Sequence, residues 1–242
     1  MRNLLTFLMI GLLFAAGSAR AQDGITMRIR QEMNLGDLNS RTDYNAMFLG
    51  NKFRVEGKMT LVTMEMDVSM TVVSDGATVR QIARSPFGPQ AITVNLVRVH
   101  EAIPEYDPSK TYDPQAYQKL LKDSEDKKPL EPLELDGVAT DGWALELPQG
   151  RLSTPSNISL GMPDPARIRI WVGRKDGIAR RVDLEDTQGV TFLKMTYSNI
   201  KTGVSLDPKL FTLEWPEGVN PMDVTEMILN GVAATRQPPK QQ

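Results

Sequence analysis

Strict alternation of apolar and polar residues over Arg167 to Thr225 constrains this chain more than any other feature. Ile168, Ile170 and Val172 share one face, and Arg167 and Arg169 share the other. A period of two means a strand with one dry side and one wet side. Lys175-Asp176-Gly177 turns the chain, because Asp-Gly supplies the positive φ angles of a tight hairpin. The return strand, Ala179 to Glu185, sets Val182 and Leu184 against Arg181, Asp183 and Glu185. Gln188-Gly189 turns again, and Val190 to Ser198 puts Leu193, Met195 and Tyr197 on one side. Leu206-Asp207-Pro208, Leu210-Phe211 and Trp215 to Val219 form a structured exit. The stretch is a β-meander, and the rest of the chain reads as strands that complete the same sheet.

Ile25 to Leu35 alternates, with Ile25, Met27, Ile29, Met33 and Leu35 on one face. Gly36 to Thr42 reads as a polar turn, Tyr44 to Leu49 as a strand, and Lys52 to Glu56 as its continuation with Phe53 and Val55 inward. Gly57-Lys58 reads as a further turn. Met59 to Val73 is then the longest strand, with Met64, Met66, Val68, Met70 and Val72 on one face and Glu65, Asp67, Ser69 and Thr71 on the other. Ser74-Asp75-Gly76 turns it back into Thr78 to Arg84 and Ala91 to Val99. Pro86 and Pro89 keep the stretch between those two from being a central strand.

From Glu101 to Asp136 prolines and charges dominate. Asp113-Pro114 is a helix start, with Asp as cap and Pro in the first turn. Ala116, Tyr117, Leu120 and Leu121 form the apolar stripe of one short helix reaching about Ser124, followed by an extended linker. Strand pattern resumes over Gly142 to Leu147, with Trp143, Leu145 and Leu147 on one face, and Ser153 to Pro165 is a loop. Asp223 and Glu226 are spaced as a capping box ahead of a final helix.

Arg2, the apolar run Leu4 to Ala16, and Ala19-Arg20-Ala21 make residues 1–21 a secretory signal peptide, too short for a membrane span of about 20 apolar residues. That places the chain in a periplasm, soluble. Residues 22–235 then form one domain, with 101–136 as a helical, proline-rich lid insertion and 236–242 as a disordered tail. The chain has no cysteine, so neither a disulfide nor lipid attachment at the cleavage point is open to it. A net charge of −2, more negative once Arg2 and Arg20 leave, gives no reason to expect nucleic acid.

A thiol nucleophile is excluded, and the single histidine, His100, at a strand end, reads as an ordinary boundary residue. No serine-hydrolase elbow, phosphate loop or dinucleotide motif occurs. Glu65/Asp67 and Asp183/Glu185 read as carboxylates on solvated strand faces. The expectation is no enzyme, no metal and no cofactor. What stands out is methionine, 13 in all, several on single strand faces. Strands commonly use Val, Ile and aromatic residues. Methionine is unbranched and adapts to variable apolar partners. The methionines fit an ordinary core or a soft cavity, and the pattern alone does not choose.

The order Trp171, Gly173, Asp176-Gly177, Asp186, Gly189, Leu206-Asp207-Pro208, Leu210-Phe211, Pro216-Glu217-Gly218-Val219 and Asp223-Val224-Thr225 resembles the C-terminal half of LolA-like periplasmic lipoprotein carriers. The match covers the last quarter of the chain. Upstream, only the strand pattern agrees. The resemblance implies a mainly β (α+β) fold: a single curved antiparallel sheet forming an incomplete barrel, with a few short helices as lid. It implies a monomeric carrier that holds the acyl chains of a lipid or lipoprotein and exchanges them with inner- and outer-membrane partner proteins. The cavity lining would be Met27, Ile29, Met33, Met64, Met66, Val68, Met70, Trp143, Leu145 and Ile170, and the lid Tyr117, Leu120 and Leu121. The family's Arg-Pro and tryptophan cluster on an early strand is absent: Asn51 to Gly57 offers only Arg54 in its place. An envelope-stress sensor or regulatory protein-binding module with the same fold is the alternative.

Overall fold

The computed structural model describes residues 24–36, 38–104, 114–147 and 165–235. The signal peptide, Asp113, most of the loop over 153–165 and the tail at 236–242 lie outside the described residues. Six strands run in sequence: β1 (Gly24–Leu35), β2 (Leu38–Leu49), β3 (Lys52–Leu61), β4 (Met66–Ser74), β5 (Thr78–Ser85) and β6 (Gly88–Asn95). Helices α1 (Leu96–Ala102) and α2 (Ala116–Asp123) follow. Then come β7 (Lys128–Leu135), β8 (Val138–Glu146), β9 (Arg167–Gly173), β10 (Ala179–Glu185) and β11 (Thr191–Val204). A two-residue β12 (Met222–Asp223) and α3 (Thr225–Thr235) end the fold.

All twelve strands join one sheet in the order β12-β6-β5-β4-β3-β2-β1-β11-β10-β9-β8-β7. Every pairing is antiparallel except that of β12 with β6. The sheet stays open between β7 and β12, so the barrel is incomplete, as the resemblance implied. The meander read over Arg167 to Ser198 is β9-β10-β11, and β1 closes onto β11 to unite the two halves.

Several elements depart from the sequence reading. Met59 to Val73 is not one strand but the β3–β4 hairpin. Its turn is a single 3₁₀ turn over Val62–Met64, closed by Glu65 with φ 50°. No Gly, Pro or Asn marks that turn, so the alternation ran across it unseen. Gly57-Lys58 is not a turn: both residues pair within β3. A Cβ on Gly57 would fall 2.0 Å from the Asp43 carbonyl oxygen and 2.8 Å from the Tyr44 ring, so glycine is there to admit a neighbouring strand. β2 begins at Leu38, inside the stretch read as turn.

The strand read over Ala91 to Val99 stops at Asn95, whose side chain accepts from the Arg98 N–H and starts α1. His100 is therefore helical. The linker after α2 is the edge strand β7. Its Pro129 and Pro132 are tolerated because an edge strand needs no donor on its outer side. At α3, Asp223 accepts from the Thr225 N–H, but Glu226 pairs with Arg98 instead of closing a capping box.

The helices decide which sheet face is inside. Leu96 and Val99 of α1, Tyr117 and Leu121 of α2, and the partly buried Ile228 and Leu229 of α3 join one apolar cluster with alternate residues of the sheet. The other face is crossed near β3 and β5 by the segment after β11. Arg54 donates to the Leu210 and Thr212 carbonyls at 3.0 and 3.3 Å, and Arg80 to that of Leu213 at 3.0 Å. Arg54 thus works on the outside of the sheet.

Candidate functional site: the inner face

Register orders the inner face into rows. The hairpins β1–β2, β3–β4, β5–β6 and β10–β11 all turn at one end, here called the mouth. The row nearest to it reads, from β8 to β4, Leu145, Ile168, Leu184, Leu193, Met33, Ser40, Leu61 and Met66. The next reads Trp143, Ile170, Val182, Met195, Gln31, Thr42, Met59 and Val68. Deeper lie Tyr197, Ile29, Tyr44, Gly57, Met70 and Ala83, then Met27, Ala46, Val55, Val72, Gln81 and Ile92. The floor is Ile25, Phe48, Phe53, Ser74, Val79 and Val94.

The character of the rows changes with depth. At the floor, aromatic and β-branched side chains dominate, and α1 leaves β6 there, with the Leu96 N–H on the Ala77 carbonyl at 2.8 Å. The Asn95 N–H donates to Thr225 Oγ1 at 2.9 Å, tying α3 to the same end. Toward the mouth, methionine replaces them. Met27, Met33, Met59, Met66, Met70 and Met195 are all buried in the one cluster. Met59, Met66, Met70, Tyr117 and Leu121 are 7–9 % exposed, against 0–1 % for Phe53, Val79 and Val94.

Of the lining residues read from sequence, all except Met64 share this face, Trp143 partly buried and the rest buried. Met64 does not: it is 56 % exposed on the β3–β4 turn. The lid residues Tyr117 and Leu121 are buried and Leu120 partly so. Helix α2 starts at the floor end, where Gln118 Nε2 donates to the Asp176 carbonyl at 3.0 Å. It crosses Tyr197 with ring centroids 6.5 Å apart and is followed by Lys127, whose Nζ is 5.7 Å from the Trp143 ring centre. Sequence reasoning missed Met59, Met195, Tyr44 and Thr42 as lining residues. Their shared parity with Met66 and Met33 becomes visible only through register.

Polar groups run through the middle of this face. Ser40, Thr42 and Gln81 are buried, and Gln81 Nε2 is 3.5 Å from the Met70 sulfur. Burial pushes the Tyr44 phenol up to about 12, with its bond to Thr42 pulling the other way. The folded state keeps that proton where an unfolded chain, near 10, loses it. Stability is therefore full below pH 10 and falls as pH rises toward 12, by about 2–3 kcal/mol from this group. Urea melts at pH 9 and 11.5 should show Tyr44→Phe losing about 2 kcal/mol less than the parent across the interval.

The carboxylates read as solvated are not all so. Asp67 is exposed, with Lys58 Nζ at 2.7 Å holding it below the usual carboxylate range. Asp183 and Glu185 are buried on the outer face. Arg181 binds Asp183 through Nε at 2.9 Å and Nη2 at 2.6 Å, Arg169 reaches Asp183 at 3.3 Å and Glu185 at 2.8 Å, and Arg167 reaches Glu185 at 3.5 Å. Arg169 and Arg181 also lie 5.6 and 4.8 Å from the Trp171 ring centre. Trp171 shares the parity of the arginines, the one sequence signal that this wet side is covered. A hollow of about 260 Å³ at the sheet edge, between β6 and Gly218 to Met222, is below the roughly 300–1,000 Å³ of small-molecule pockets. No helix among the described residues is long and apolar enough to cross a membrane.

No family model and no curated protein matches the chain. Solved structures similar to it include an uncharacterised conserved protein from Thermus thermophilus, with 10 % identity, TM-score 0.45, and 92 % of this chain and 97 % of that one covered. The lipoprotein LppX of Mycobacterium tuberculosis is 12 % identical over 85 % of this chain and 96 % of that one, with TM-score 0.42. A putative outer membrane lipoprotein-sorting protein domain from Vibrio parahaemolyticus is 10 % identical over 81 % and 91 %, with TM-score 0.31. At 10–12 % identity and TM-scores of 0.31–0.45, these likenesses assign no role to any residue of the chain.

Proposed function

We propose that this chain is a periplasmic carrier that shelters the acyl chains of a lipid or lipoprotein between the methionine rows of its sheet and helix α2. The observation that carries the reading is that six buried methionines of one sheet face share an apolar cluster with Tyr117 and Leu121 of the short helix α2. Residues 1–21 read as the export signal, and membrane proteins on either side would be donor and acceptor.

Magnitudes favour a reversible carrier. A sheltered acyl chain gains about 0.8 kcal/mol per CH₂, or roughly 10 kcal/mol for a long chain. Lifting Tyr117, Leu120 and Leu121 off the sheet costs about 1.5–3 kcal/mol each. The net is a few kcal/mol, enough to load and small enough to release. The inner side chains are packed in this structure, so a guest enters by displacing them. Methionine does that with little strain, since its three rotatable bonds reshape without moving backbone.

The test is native mass spectrometry with organic extraction on protein exported to a periplasm and purified without detergent. Bound lipid mass is expected. Met66→Asp, in the row nearest the mouth, should lower it at least tenfold (about 1.4 kcal/mol or more), with circular dichroism checking the fold. A clean protein mass and no uptake of added lipid would make the methionine face plain core.

A further inference from the structure

The hairpin turns at the two ends of the sheet are chemically opposite. At the floor end the turns are Gly50-Asn51, Asp75-Gly76, Asp136-Gly137 and Arg174 to Gly177, all polar or glycine. At the mouth, three separate hairpins each carry large apolar side chains in water. Val62 and Met64 are 54 and 56 % exposed, Phe87 77 % and Val190 52 %. The turns that carry these side chains are held by hydrogen bonds of their backbone. The Phe87 N–H donates to Ser85 Oγ at 3.2 Å, and Asp186 Oδ1 accepts from the Val190 N–H at 2.9 Å. The Glu65 N–H closes the third turn on the Val62 carbonyl at 3.3 Å. The other exposed large apolar residues, Val97, Leu210, Met222 and Met227, are dispersed over α1, α3 and the segment after β11.

From this we infer that the mouth docks on a lipid surface, inserting the tips of Phe87, Met64, Val62 and Val190 into the interface. Single apolar side chains on separate hairpins make no groove for a shaped partner. A fluid surface accepts each tip independently, and aromatic and aliphatic side chains settle at its boundary. Several charges near the mouth are compensated, Lys58 with Asp67 at 2.7 Å, Arg167 with Glu146 at 2.9 Å and Lys194 with Glu32 at 3.3 Å, and the hairpins themselves carry both signs, Glu65 and Asp186 against Arg84. Docking therefore relies on apolar insertion and needs no anionic lipid. The purpose of the contact rests on the carrier reading, since a docked mouth would let an acyl chain pass between bilayer and methionine rows without crossing water.

The experiment is co-sedimentation with phosphatidylcholine vesicles, run beside uptake of a water-soluble fluorescent fatty acid. The parent should pellet, with little change on adding anionic lipid or salt. F87D/M64D should bind vesicles at least tenfold more weakly and still take up the fatty acid, because both side chains are exposed on turns. Val97→Asp, at the opposite end, should pellet like the parent. A parent that stays in solution, a double variant that pellets normally, or equal loss in Val97→Asp would each overturn the docking surface. Vesicle binding without fatty-acid uptake would leave docking standing and remove the carrier reading.

Discussion

Asp183→Ala should destabilise the fold by about 3–5 kcal/mol, the cost of removing one partner from a buried ion pair. Asp183 is fully buried and accepts from Arg181 through two nitrogens and from Arg169 through a third. Without it, two guanidinium groups flank Trp171 with only Glu185 to answer their charge, and they lose three hydrogen bonds to a fully buried acceptor. Against a total stability of about 5–15 kcal/mol, the loss is visible in any urea melt. Asp183→Asn keeps the shape and one acceptor and should cost less. A double-mutant cycle with Arg181→Met measures the coupling, and a value near zero would reduce the cluster to surface decoration.

Gly57→Val is the second large effect. Its Cβ would meet the backbone oxygen of Asp43 at 2.0 Å and the Cα and ring of Tyr44 at 2.8 Å. Backbone cannot move aside as a flexible side chain can, so β2 and β3 must part along pairs that include Tyr44 with Gly57. The expected cost is about 4 kcal/mol or more. A thermal melt within a few degrees of the parent would show that this pairing bends more easily than the register implies.

These two positions also show what the sequence could tell. Strands, their faces and most hairpins were legible, because one buried side forces alternation. Gly57 was misread since a glycine admitting a neighbouring tyrosine has the same letter as a glycine making a turn. The β3–β4 turn was missed for the opposite reason: Glu65 adopts φ 50° without glycine, so Met64 was counted with the buried face. Asp183 and Glu185 had the outward parity of solvated residues, and only the tertiary placement of Trp171 and three arginines buries them. Which side of the sheet was concave was beyond alternation, since the helices that settle it come from separate parts of the chain.

An open sheet has a hazard that a closed barrel avoids: unpaired edges invite other chains to add strands. Here one edge carries Pro129 and Pro132 with a register shift between Leu130 and Leu133, and the other is partly covered by the two parallel residues of β12. On the proposed carrier reading, a half-barrel that opens to apolar guests would expose its interior in the same event. Edges that refuse recruitment let such a molecule gape without polymerising.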